Sequence, residues 1–187
     1  MRWAAASLVV ATLVCLCLGT AGLVLLRLSD NRGGEQAVVG AAAERGEGAR
    51  VGERAPVFSA TTLSGERISL AELQGKLVVL NFWASWCGPC RSEMPALEAA
   101  AKRTAGQPIV FLGVNVQEPP ETVRAFVAEL GLTFPILPDP TGEIARTYQV
   151  RALPTTFFID REGRLREQFT GEMNASVIDR RLRSYGE

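Results

Sequence analysis

The chain has 187 residues, of which 47% are hydrophobic and 21% charged, a balance that builds a packed core and excludes wholesale disorder. Twenty Lys and Arg stand against 20 Asp and Glu, so the net charge is zero and the electrostatic footprint of a nucleic-acid binder is missing. Histidine is absent, which excludes imidazole bases, His-ligated zinc sites and histidine pH switches, and leaves Cys, Asp, Glu, Lys and Tyr for acid–base work.

Residues 3–26 form 24 consecutive uncharged positions rich in Leu, Val and Ala. As a helix they would reach roughly 36 Å, enough to span a bilayer. The competing reading is a cleaved signal peptide, with Arg2 at its start and Gly19-Thr20-Ala21 as the cleavage site. Leu23, Val24, Leu25 and Leu26 carry the apolar run beyond the roughly 7–15 residues of a signal core, which favours an uncleaved anchor over residues 1–28. Cys15 and Cys17 then serve as apolar residues of that helix. The flanking charges, Arg2 on one side and Arg27, Asp30 and Arg32 on the other, do not fix its orientation. Residues 29–50 hold five Gly, five Ala and no aromatic residue and read as a flexible tether. Residues 51–187 are then left for one domain.

Within that domain, residues 58–63 and 67–70 flank Ser64-Gly65-Glu66 and predict a hairpin. Residues 77–83, Leu-Val-Val-Leu-Asn-Phe-Trp, are almost continuously apolar and predict a central strand buried on both faces. A helix over residues 87–104, closed by Gly106 and Pro108, and a strand over 109–116 follow. Pro120 opens a second helix that Gly131 stops. Residues 134–137 predict a strand, 143–148 a short helix, 155–159 and 165–169 two strands, and 175–185 a final helix. This order predicts an α/β domain with a central mixed β-sheet flanked by helices, its reactive groups lying past the carboxyl ends of the strands.

Trp86-Cys87-Gly88-Pro89-Cys90 occupies such an end, with two thiols spaced to close into a disulfide at a strand-to-helix turn. The helix N-terminus favours a thiolate on the first sulfur, so Cys87 is the expected nucleophile and the more exposed of the two. Cys90, one turn in, is expected to resolve the mixed disulfide. Half of a zinc site would need two further ligands, and the other two cysteines lie in the expected membrane helix. A structural disulfide is the remaining alternative, although so small a loop stabilises little through chain entropy. No metal and no cofactor beyond the Cys87–Cys90 pair is expected.

The run Phe82-Trp83-Ala84-Ser85-Trp86-Cys87-Gly88-Pro89-Cys90, with Pro95 following, resembles thioredoxin. Val150-Arg151-Ala152-Leu153-Pro154-Thr155 resembles the thioredoxin segment whose cis-proline faces the disulfide. The apolar N-terminus, the hairpin, Gly75-Lys76 and the extra helix after Asn115-Val116 resemble the membrane-anchored TlpA and ResA type of thiol–disulfide oxidoreductases, relatives of the AhpC/TSA redoxins. The resemblance covers residues 51–187. It implies a thioredoxin fold with an N-terminal β-hairpin extension and an inserted helix, a cis bond before Pro154, and a single-pass bacterial membrane protein whose domain faces outward. Leu153 would offer its backbone to an extended client segment, beside Trp86, Gly88 and Pro89.

Two positions depart from thioredoxin. Asn81 stands where thioredoxin carries a buried acid and cannot take up a proton. Glu93, one helical turn after Cys90, is placed to help deprotonate it and matches an active-site glutamate of the ResA type. The competing reading of Glu93 is a solvated glutamate favoured by the helix dipole. Pro95 removes one helical hydrogen bond and has a structural role.

Gly-Pro between the cysteines points to the reducing end of the potential scale, about −270 mV, rather than the oxidising end near −120 mV. The resemblance implies apocytochrome c as a client, whose Cys-x-x-Cys-His must be reduced, and a transmembrane thiol reductant of the CcdA or DsbD type as electron donor. Assembly of copper sites, a client-binding module without turnover, and a peroxidase remain as alternatives.

Overall fold

The computed structural model describes residues 48–186 together with the strand Val38–Val39 (β1). The expected anchor and most of the expected tether lie outside the described residues. Among those described, no helix is long and apolar enough to cross a membrane. β1 falls inside the stretch expected to be a tether. It pairs antiparallel with Phe58–Thr61 (β2), Val38 opposite Ser59 and Val39 opposite Phe58. β2 continues through a turn into Arg67–Ser69 (β3), also antiparallel. Gly65, at φ 87°, supplies the left-handed backbone the turn needs. A 3-10 turn over Leu70–Leu73 leads into the main sheet.

That sheet contains Leu77–Trp83 (β4), Ile109–Val116 (β5), Ile136–Asp139 (β6), Thr155–Ile159 (β7) and Leu165–Thr170 (β8) in the order β6-β5-β4-β7-β8. β4 runs parallel to β5 and β5 to β6, whereas β7 and β8 are antiparallel additions. Every residue of β4 is buried, as expected for the central strand. Side chains alternate across a strand, so Leu77, Val79 and Trp83 pack on one face with Met94, Leu97 and Ile178. Val78, Leu80 and Phe82 pack on the other with Leu112, Tyr148 and Phe157. The same alternation assigns Asn81 to the face that carries Met94.

Gly88–Arg103 (α1) and Ala175–Tyr185 (α4) cover the first face, Pro120–Leu130 (α2) follows β5, and Glu143–Thr147 (α3) follows β6. α1 is one residue shorter at each end than expected because Cys87 and Thr104 are its caps. Pro95 lies inside it and leaves the Arg91 carbonyl without a helical donor. β6 begins two residues later than the sequence predicts. Phe134 packs into the core beside Phe111, while Pro138 and Asp139, which resemble turn residues, complete the strand. The Asp139 carboxylate then accepts the amides of Ile144 at 3.3 Å and Ala145 at 2.9 Å, capping α3. α3 stops at Thr147, and Tyr148 turns into the core, donating its hydroxyl to the Pro56 carbonyl at 2.8 Å.

Candidate active site

The turn after β4 is closed by the Cys87 amide, which donates to the Ala84 carbonyl at 3.2 Å. Cys87 is the N-cap of α1, and its sulfur accepts the Cys90 amide at 3.2 Å. The two cysteines form a disulfide with 5.2 Å between their Cα atoms. Gly88 and Pro89 are exposed in the first turn, where proline costs no hydrogen bond. As expected, Cys87 is the more exposed of the two sulfurs, although little of it reaches solvent. It retains only 6% of its surface against 0% for Cys90, because the disulfide holds both against the core. The exposed group is Trp86, at 73%, whereas Trp83 is buried against Phe126.

The bond between Leu153 and Pro154 is cis. Phe82 lies opposite Thr155 in the β4–β7 ladder, so Pro154 falls at the end of the sheet where Cys87 follows β4. The Pro154 carbonyl accepts the Gly171 amide at 2.9 Å. Leu153 is half-buried, and among the described residues no hydrogen bond engages its amide or carbonyl.

Glu93 is not a solvated first-turn residue; it is 1% exposed. It points to the sheet face that carries Asn81, whose amide donates to Glu93 Oε1 at 2.6 Å and to Thr156 Oγ1 at 2.9 Å. The Met173 amide donates to Glu93 Oε2 at 2.9 Å. Burial pushes the Glu93 carboxyl up to about 7, against the lowering effect of the Met173 and Asn81 hydrogen bonds and with a small contribution from the Glu172 charge. A carboxyl poised there exchanges a proton near neutral pH.

A second buried carboxylate, which the sequence reading does not single out, sits under the turn. Glu118 is 6% exposed. It accepts the Ser85 amide at 2.7 Å, the Ser85 hydroxyl at 2.5 Å and the Asn115 side-chain amide at 2.7 Å. The signal for it is the parallel pairing of β4 with β5, which sets Asn115 opposite Trp83 and so brings the residues just past both strands together.

The profile of the AhpC/TSA family matches residues 51–168. The chain belongs to the AhpC/TSA family. The thiol-disulfide oxidoreductase ResA of Geobacillus kaustophilus is 42% identical over 134 residues, which is 72% of this chain and 77% of that relative. The thioredoxin-like protein YneN of Bacillus subtilis is 42% identical over 138 residues, 72% of this chain and 80% of its own. Among solved structures, a thioredoxin-family thiol:disulfide interchange protein from Chlorobium tepidum has a TM-score of 0.67 at 31% identity, covering 73% of this chain and 97% of its own. StoA from Bacillus subtilis has a TM-score of 0.61 at 30% identity, covering 70% and 96%. The thioredoxin fold is thereby established, and this AhpC/TSA member is a thiol–disulfide oxidoreductase of the ResA type.

Proposed function

We propose that the chain is an extracytoplasmic reductase of protein disulfides, held to the bacterial membrane by residues 1–28, with Cys87 and Cys90 as the exchanging pair. The observation that carries this reading is the capped disulfide at the start of α1, on the same end of the sheet as the cis bond before Pro154. In the reduced enzyme the Cys87 thiolate attacks one sulfur of the client disulfide. The client S–S bond breaks, a mixed disulfide forms, and the departing client sulfur takes up a proton. Glu93 takes the proton from the Cys90 thiol, and the Cys90 thiolate attacks Cys87 Sγ. The second client thiolate leaves, two electrons have passed to the client, and the Cys87–Cys90 disulfide remains.

The Leu153 backbone, unengaged among the described residues, pairs with the client as an added strand, with Trp86, Gly88 and Pro89 framing the approach. The client is a protein with a reducible pair such as the Cys-x-x-Cys-His of apocytochrome c, and a transmembrane thiol reductant of the CcdA or DsbD type restores the dithiol. The equilibrium potential of the purified chain, titrated in thiol buffers with Trp fluorescence as readout, tests the direction. A value at or below roughly −230 mV supports a reductase, and one above roughly −180 mV makes the protein an oxidant or isomerase. Cys90→Ser is expected to accumulate a mixed disulfide with an oxidised Cys-x-x-Cys-His peptide, and Cys87→Ser to accumulate none; the reverse pattern would exchange the two roles.

A further inference from the structure

Trp86 exposes 73% of its surface, although a large aromatic ring gains free energy by lying down on apolar surroundings. Its neighbours explain why it does not. Ser85 is fixed by both its amide and its hydroxyl to the two oxygens of Glu118, and the Ala84–Cys87 turn closes around it. With Ser85 anchored at one side and Cys87 capping α1 at the other, the backbone of Trp86 has little freedom to drop its ring. Glu118 is itself held by Asn115 and belongs to the connection between β5 and α2.

That connection bends in an unusual way. Gln117 has φ 58°, a left-handed conformation uncommon for a residue with a side chain. Its amide donates to the Asp139 carbonyl at 2.9 Å. Gly142 packs against it so closely that a Cβ there would stand 3.1 Å from Gln117 Cγ. The costly bend turns Glu118 back beneath the end of β4.

We infer that Glu118 is a positioning residue for client recognition: its buried carboxylate clamps Ser85 and thereby holds Trp86 outward as the surface on which the client's polypeptide is met. The inference rests on Cys87 and Cys90 being the exchanging pair and adds how a protein client is distinguished from a small disulfide or thiol. A client that touches Trp86 feels the clamp, while a small thiol that touches only the sulfurs feels it little.

The test uses the full chain and two reagents, insulin as the protein disulfide and dithiothreitol as the small thiol. Glu118→Ala is expected to raise KM for insulin about ten-fold, the worth of one charge-assisted hydrogen bond. The same change should slow reduction of the Cys87–Cys90 disulfide by dithiothreitol by a factor about five times smaller. Glu118→Gln, whose single side-chain oxygen keeps the Ser85 amide, is expected to fall between. Equal losses with both reagents, or a lower melting temperature with KM unchanged, would overturn the inference and leave Glu118 a structural residue. If Glu118→Ala does not fold, Ser85→Ala removes one contact alone; a raised KM supports the clamp and a parental KM overturns it. A parent protein no faster on insulin than Cys87→Ser would instead overturn the reading of the disulfide itself, and this inference with it.

Discussion

Asn81 donates its side-chain amide to Glu93 across 2.6 Å, joining the centre of β4 to the second turn of α1 in the middle of the core. The acid is thus supplied by the helix and only its hydrogen-bond partner by the strand. Asn81 Oδ1 is buried and has no partner among the described residues, so there the amide's donor side alone is engaged.

This arrangement has a pH signature. The carboxyl of Glu93 titrates at about 7 in the folded protein against 4.5 for the ordinary group. The folded state therefore holds a proton that the unfolded state releases between those values. Stability from this group is fully present below about pH 4.5 and is lost as pH rises to about 7, by roughly 3 kcal/mol at 1.36 kcal/mol per unit. Glu93→Gln is expected to flatten that slope in denaturant titrations across the window. A variant with the parent's slope would remove Glu93 as its source.

Asn81→Asp would set a second carboxyl against Glu93. Two carboxyls at hydrogen-bond distance do not both ionise readily, so the pair should retain a proton to higher pH than Glu93 does alone. The variant is expected to lose more melting temperature than the parent between pH 5.5 and pH 8. Equal losses would show that the two side chains do not share the proton.

Gly113 lies in β5 where a Cβ would stand 2.7 Å from Ile136 Cδ1 and 3.0 Å from Trp83 Nε1 and Phe134 Cε2. Gly113→Ala is expected to cost about 1–3 kcal/mol through overpacking, seen as a lower denaturant midpoint. An unchanged midpoint would mean that the core beside Trp83 yields.

Tyr148 is buried, and its hydroxyl serves the Pro56 carbonyl, tying α3's end to the segment before β2. Tyr148→Phe keeps the ring contacts with Phe58, Phe82 and Phe157 but strands that carbonyl, at a cost of about 1–2 kcal/mol. Urea titration checks it, and a loss near zero would show that solvent reaches Pro56.

The sequence displayed most clearly what depends on local pattern. The bounds of β4 follow from its almost continuous apolar run, and the start of α1 from Cys87-Gly88-Pro89. Non-local partners were not visible in the same way. The partners of Glu93 come from β4 and from the loop before α4, 12 and 80 residues away in sequence, and burial decides its character. Its place one turn after Cys90 was readable, but its enclosure was not. Glu118 followed no motif, since Ser85, Asn115 and Glu118 meet only through strand register. β6 was displaced because Pro138 and Asp139 look like turn residues although both lie in the strand.

The small ladder between β1 and β2 bears on how the protein is handled. A recombinant fragment begun at Val51, the apparent start of the domain, would strip Val38–Val39 from β2. It would leave that edge's amides and carbonyls open to a neighbouring copy. Self-association of such a fragment would then report the cut rather than a native oligomer, and a fragment begun at Ala37 would keep the edge covered.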